Sequence, residues 1–262
     1  MIAITKPGLF GKPATVWYDT TMLWTISDLH LSAVHPKPMD IFGDRWKNHP
    51  LRVAAAWRER VRAEDTVLIA GDISWALKLD EALPDLAWIA ELPGHKVLSK
   101  GNHDYWWERA GPLRPRLPPT IAVVEADALE LDEAVICGTR GWLTPEMTAF
   151  KDPDDRRVYN RELGRLDRAL AAAQKLADGA KPIVVMIHYP PFIDRKPTEF
   201  ARRIGAAGAA ACIYGHLHRA NDWNEAVQGV VDGVYYQLTS CDYLGFGPVA
   251  VRGLAQTTPS PG

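Results

Sequence analysis

Five short apolar runs, each breaking off into Gly, Asp, Asn or His, constrain the fold of this chain more than any other feature. Met22–Ser27 leads into Asp28-Leu29-His30, and TVLIA at 66–70 leads into Gly71-Asp72. KVLS at 96–99 precedes Gly101-Asn102-His103-Asp104, IVVMI at 183–187 precedes His188, and Ala209–Tyr214 precedes Gly215-His216-Leu217-His218. Short β-branched runs bounded by turn residues read as strands buried on both faces, because double burial removes the polar alternation of a half-exposed strand. Each polar cluster then stands at the C-terminal end of a strand, the side on which open parallel sheets place their sites.

Helical spacing fills the intervals. His49–Ala63 sets Leu51, Val53, Ala54, Trp57 and Val61 on one face, with Arg and Glu between them. Leu79–Leu92 repeats the pattern through Leu83, Leu86, Ile89 and Ala90. Asp154–Asp178 is the longest candidate, with Leu163, Leu166, Leu170 and Leu176 on one side and Gly179 as its stop. Alternating strands and helices imply crossover units with parallel strands. Residues 121–138 and 229–251 break the alternation as short strands with tight turns, and are expected to be antiparallel additions forming a second sheet packed on the first. The expectation is a mixed α/β (α+β) fold in a single domain over residues 1–255, with a disordered tail at 256–262.

Composition narrows the function classes. The 262 residues carry a net charge of -2 with both signs interspersed, which disfavours an extended nucleic-acid surface but leaves room for a small phosphorylated substrate. Cys137, Cys212 and Cys241 are odd in number and form no CxxC pair, so buried free thiols are expected rather than disulfides or a thiolate zinc site. The first 21 residues hold no signal-like apolar run, and no segment reaches the roughly 18 uninterrupted apolar residues of a membrane span. A soluble cytoplasmic protein in a reducing compartment is the expectation. Oligomeric state is not legible.

Taken singly, most of the clusters have ordinary explanations: Asp28 as a helix cap, Gly71-Asp72 as a turn, His188 as a hydrogen-bonded imidazole. Together they place oxygen and nitrogen donors at five strand ends, and five of the eight histidines fall inside them, leaving His35, His49 and His95 without a partner. His216 and His218 are two apart and share a face in extended structure, so both can reach one centre. Gly101-Asn102-His103-Asp104 is the most telling. Asn102 offers a neutral carbonyl oxygen, His103 can face a substrate, and Asp104 is expected to orient the other ring nitrogen of His103.

The series D-x-H, G-D, G-N-H-D, a lone H, and G-H-x-H, in this order over roughly residues 22–219, resembles the calcineurin-like metallophosphoesterase superfamily. His188-Tyr189-Pro190-Pro191 also resembles a stretch of its cyclic-nucleotide phosphodiesterase branch. The resemblance implies a two-sheet β sandwich flanked by helices. It also implies two divalent or trivalent metal ions (Mn, Fe or Zn). Asp28, His30 and His218 would hold the first, Asn102, His188 and His216 the second, and Asp72 would bridge them. Such a pair activates water for attack on phosphorus, and His103, oriented by Asp104, would protonate the leaving group.

Two other readings compete with a phosphodiester or phosphomonoester hydrolase. A non-catalytic scaffold on the same fold is marked by loss of the G-N-H histidine or several ligands, all of which stand here. A nuclease would want a basic groove. Specificity residues are harder to place: Arg140 and Trp142 could bind substrate, with Arg195, Arg202 and Arg203 as further candidates and Trp106 and Trp107 as pocket walls.

Overall fold

The computed structural model describes residues 21–254 and the backbone of a hairpin made by Ile2–Pro7 and Pro13–Tyr18; the expected tail at 256–262 lies outside the described residues. Leu23–Ile26 (β1), Thr66–Ala70 (β2), His95–Ser99 (β3) and Ile121–Val123 (β4) are parallel neighbours in one sheet. A second sheet is built from Ala128–Glu130 (β5), Val135–Thr139 (β6), Ile183–Ile187 (β7), Ala211–Tyr214 (β8), Gly229–Val231 (β9) and Val234–Leu238 (β10). Its order is β9-β10-β8-β7-β6-β5, parallel through the middle with an antiparallel strand at each edge. Val249–Ala250 (β11) returns to the first sheet, antiparallel beside β1.

The doubly apolar runs have the burial their composition demands. Leu68 and Ala70 of β2 and Val184 and Met186 of β7 face one another in a core between the sheets. Their alternates face outward onto helices. Val67 and Ile69 pack against Val53, Ala54 and Trp57 of α1 (His49–Arg60) and Leu86 and Ile89 of α2 (Leu79–Ala90). Val185 and Ile187 pack against Leu163, Leu166 and Leu170 of α3 (Asp154–Ala177) and Phe200 and Ile204 of α4 (Glu199–Ala206). The four layers are helix, sheet, sheet, helix, and each aliphatic side chain fully buried between them contributes roughly 1.5–3 kcal/mol. Among the described residues no helix is long and apolar enough to cross a membrane.

The two-sheet α/β sandwich agrees with expectation, but its wiring does not. The five motif strands do not share one sheet: β1, β2 and β3 lie in the first, β7 and β8 in the second. Ile121–Val123 is a parallel edge of the first sheet, and β6 and β10 pair in parallel with β7 and β8. The expected antiparallel hairpins do form, β5 with β6 and β9 with β10, but distant partners took the inner edges of β6 and β10. Leu51 and Leu176 sit at helical spacing but are 69% and 40% exposed, each within a turn of an end of its helix. Helix α3 stops as expected, with Asp178 (φ 46°) and Gly179 (φ 71°) both in the left-handed region. All three cysteines are free and buried.

Candidate metal centre

The loops at the C-terminal ends of β1, β2, β3, β7 and β8 meet at one end of the sandwich, and several are zipped together by backbone hydrogen bonds. Asp28 and His30 donate their N–H groups to Gly71 O (2.9 Å) and Asp72 O (3.0 Å), while Ser27 N–H reaches Thr239 O (2.8 Å) and Gly215 N–H reaches His188 O (3.1 Å). The turns are tight. Asp28 (φ 59°), His30 (φ 48°), Asp72 (φ 52°) and His216 (φ 73°) all occupy the left-handed region. Each such non-glycine residue costs of order 1–3 kcal/mol, and this strain collects at functional sites. At Gly101 a Cβ would collide with the Asp72 carboxylate and backbone nitrogen, so only glycine lets the two loops approach.

The expected donors converge. His218 Nε2 stands 3.2 Å from Asp28 Oδ1 and 3.4 Å from His30 Nε2. Asn102 Oδ1 stands 2.8 Å from His188 Nε2 and 2.9 Å from His216 Nδ1, and the two imidazole nitrogens are 3.3 Å apart. Asp72 Oδ2 lies between the groups, 3.3 Å from His188 Nε2 and 3.8 Å from His30 Nε2. Two metal-sized triads result, Asp28-His30-His218 and Asp28-Asp72-His188. Asp28 therefore also lies between the two groups, a place the sequence reading assigned to Asp72 alone.

These donors fit metal ions. Atoms ligating one ion at about 2.1 Å stand roughly 3.0–3.4 Å apart, which is the spacing of most of these pairs. Second partners fix the ring orientation. His188 Nδ1 lies 3.0 Å from Ala70 O and His218 Nδ1 lies 3.0 Å from Asp242 Oδ1, so the opposite nitrogen of each ring carries its lone pair into the centre. With protons in place of metal, the charges balance locally. Burial opposes ionisation of Asp28 and Asp72, but His218 beside Asp28 and His188 beside Asp72 hold both carboxyls well below the usual range. His188 rises to about 9 and His218 to about 10 against their own burial, on the charges of Asp72 and Asp28 respectively. Burial drives His30 down to about 3 and His216 to about 4.

His103 borders the cluster half-buried, with its ring 4.2 Å from that of Trp75 and its Nδ1 enclosed without a hydrogen-bond partner. Asp104 does not orient it. Asp104 Oδ1 accepts from Ile73 N–H (2.9 Å), Ser74 N–H (3.1 Å) and Trp106 Nε1–H (3.1 Å), and Oδ2 accepts from Gly101 N–H (2.8 Å). Its buried carboxylate ties the Asp72 loop to the Asn102 loop. The backbone amides of those loops outcompete the imidazole for its lone pairs. Asp72 Oδ1 accepts the His103 N–H at 2.8 Å, fixing the backbone of His103 instead.

The sequence profile of calcineurin-like phosphoesterases matches residues 22–220, a span holding all these donors. The chain belongs to the calcineurin-like phosphoesterase family. Gene 66 protein of Mycobacterium phage L5 is 40% identical over 83 residues, 31% of this chain and 39% of that protein. Its counterpart in phage D29 is 39% identical over 82 residues, 31% of this chain and 40% of that protein, so the match spans about two fifths of these curated relatives. Among solved structures, phosphopantetheinyl hydrolase of Mycobacterium tuberculosis superposes with a TM-score of 0.53 at 17% identity, covering 92% of this chain and 99% of that one. TT1561 of Thermus thermophilus gives 0.51 at 13% identity, covering 76% and 83%. At these identities the likeness is one of fold.

In this calcineurin-like phosphoesterase the expected substrate contacts are otherwise engaged. Arg140 faces buried Glu162 (3.6 Å) and lies over the Trp142 ring (4.4 Å), and Trp142 donates Nε1–H to Asp155 (2.9 Å). Trp142 stands behind Tyr189, whose ring lies between Trp142 (5.4 Å) and His216 (4.4 Å). Arg202 pairs with Glu199, Arg203 with Glu199 and Asp167, and Arg195 donates to Asn224 O. Trp106 and Trp107 are buried in the core rather than walling a pocket. Residues outside the motifs take these places. Trp75 stacks on His30 at 4.8 Å, Asp242 backs His218, and Arg45 reaches Asp242 Oδ2 at 3.1 Å. His49, read as unpartnered, sets Nε2 3.0 Å from Leu29 O and braces the turn between Asp28 and His30. Only Trp75, three residues after Asp72, lay close enough to a motif to be suspected from sequence.

Proposed function

We propose that this chain is a metal-dependent phosphohydrolase that cleaves a phosphoester at a dinuclear centre. The observation that carries the reading is the convergence of seven donors, all oxygen or imidazole nitrogen, from five loops of two sheets. Asp28, His30 and His218 would hold one ion and Asn102, His188 and His216 the other, with Asp72 and Asp28 facing both. The donor set lacks thiolate, so manganese, iron and zinc are all compatible. Metal ions bound there supply a Lewis acid for phosphate oxygens and lower the pKa of water toward neutrality.

The chain's own groups do the rest. His188 and His218 are locked with one nitrogen outward by Ala70 O and Asp242, which keeps the donor cage rigid. Asp104 locks the Gly101 loop so that His103 is presented at the edge of the cage. From there its ring can pass a proton to the departing oxygen once the phosphorus–oxygen bond breaks. Retention of His103 beside a full donor set favours catalysis over a scaffold role. Protein reconstituted with Mn should hydrolyse a chromogenic phosphodiester and lose that activity with chelator; inactivity in the metal-loaded protein across mono- and diesters would refute the reading.

A further inference from the structure

His35-Pro36-Lys37-Pro38-Met39 lies in the segment between Leu31 and α1. Prolines on both sides of Lys37 fix the neighbouring backbone angles, and Lys37 N–H is tied to Ser32 Oγ at 3.0 Å. Met39 is buried and accepts the Trp75 indole N–H at 3.3 Å, so this segment is pinned to the indole that lies against His30 and His103. The Lys37 ammonium stands 3.2 Å from the centroid of that indole. Although exposed, it is held in place by its backbone and by the aromatic face beneath it.

Lys37, unlike Arg45 and Arg140, has no anion. Arg45 is paired with Asp242 and Arg140 with Glu162, and Glu81 faces His35. Among the described residues no carboxylate lies within ion-pair distance of Lys37. The ammonium and the proposed proton donor both lie against the Trp75 ring, so an ammonium held there without a carboxylate partner suits negative charge on the leaving group.

We infer that Lys37 binds a second phosphate on the leaving-group side of the substrate, selecting organic diphosphates over simple phosphoesters, an inference that rests on the phosphohydrolase reading above. Water oxygen bonds to the scissile phosphorus as the bridging P–O bond breaks, the second phosphate departs with the electron pair as an anion beside Lys37, and the two water protons pass to product phosphate oxygens or to solvent. A simple ester leaves the ammonium without a partner.

Binding tests this separately from turnover. Calorimetry on metal-loaded protein would compare methylenediphosphonate with methylphosphonate in wild type, Lys37→Met and Lys37→Arg, with metal content checked by elemental analysis. Loss of one charge-assisted contact predicts that Lys37→Met weakens methylenediphosphonate at least about tenfold more than methylphosphonate, and that Lys37→Arg restores most of the difference. The ratio of kcat/KM for diethyl diphosphate over bis(4-nitrophenyl) phosphate should fall likewise in Lys37→Met. Equal weakening of both phosphonates, or none, would overturn the assignment. If wild type hydrolyses neither ester, the phosphohydrolase reading fails while the binding comparison still decides the role of Lys37.

Discussion

Asp242 Oδ1 stands 3.0 Å from His218 Nδ1, and the opposite nitrogen of that ring faces Asp28 and His30. Carboxylates in this position fix the tautomer and orientation of a metal-binding imidazole, and their removal typically costs 10–100-fold in metal affinity. Asp242→Ala is therefore expected to weaken the first metal by about that factor, with all seven donors intact, in titrations against a chelating dye. An unchanged affinity would show that Asp242 serves only Arg45.

His103→Ala separates chemistry from metal binding. His103 contributes no donor atom to either triad, so the variant should bind metal like wild type by elemental analysis. Loss of a positioned proton donor should lower kcat by about 10²–10⁴-fold.

Gly101→Ala tests the close approach of the Asn102 and Asp72 loops. The added methyl would collide with the Asp72 carboxylate and backbone, and neither can withdraw without moving a donor. Metal occupancy should fall although every donor residue remains. Gly205→Ala is the control: it lies inside α4 with nothing within 4 Å of the added methyl, and should be neutral or stabilising by about 0.5–1 kcal/mol.

Lys96 gives a pH signature remote from the donors. It is buried near the start of β3 with its ammonium against the Leu92 and Ala90 carbonyls, and burial pushes it down to about 8 from the ordinary 10.5. The folded state thus binds fewer protons than the unfolded state between those values, so this residue's contribution to stability rises with pH from about 8 to 10.5. Denaturant melts of wild type and Lys96→Met should differ by a slope approaching about 1.4 kcal/mol per pH unit inside that window and by none below it.

The donors were legible in the sequence because their chemistry is narrow: Asp, Asn and His at strand ends have few substitutes, and their order along the chain survives folding. The strands were legible for a related reason, since runs such as 66–70 and 183–187 can be stable only when covered on both faces. Which sheet each strand joins was not, because pairing of β6 with β7 or β10 with β8 depends on partners far away in sequence. Asp242, Arg45 and His49 escaped for the same reason. Each acts through one tertiary contact to a motif residue and carries no local pattern. Asp104 misled because adjacency to His103 suggested a partner, whereas the turn aims its carboxylate at the amides of Ile73 and Ser74.

Two ions are expected to share the cage formed around Asp28 and Asp72. Elemental analysis of protein reconstituted with Mn, run beside a phosphodiester assay, tests it most directly. Two ions per chain in wild type are predicted, with Asp72→Ala falling to one or fewer and losing turnover together with the metal. Wild type that holds at most one ion at full activity, or Asp72→Ala that keeps both ions, would contradict it.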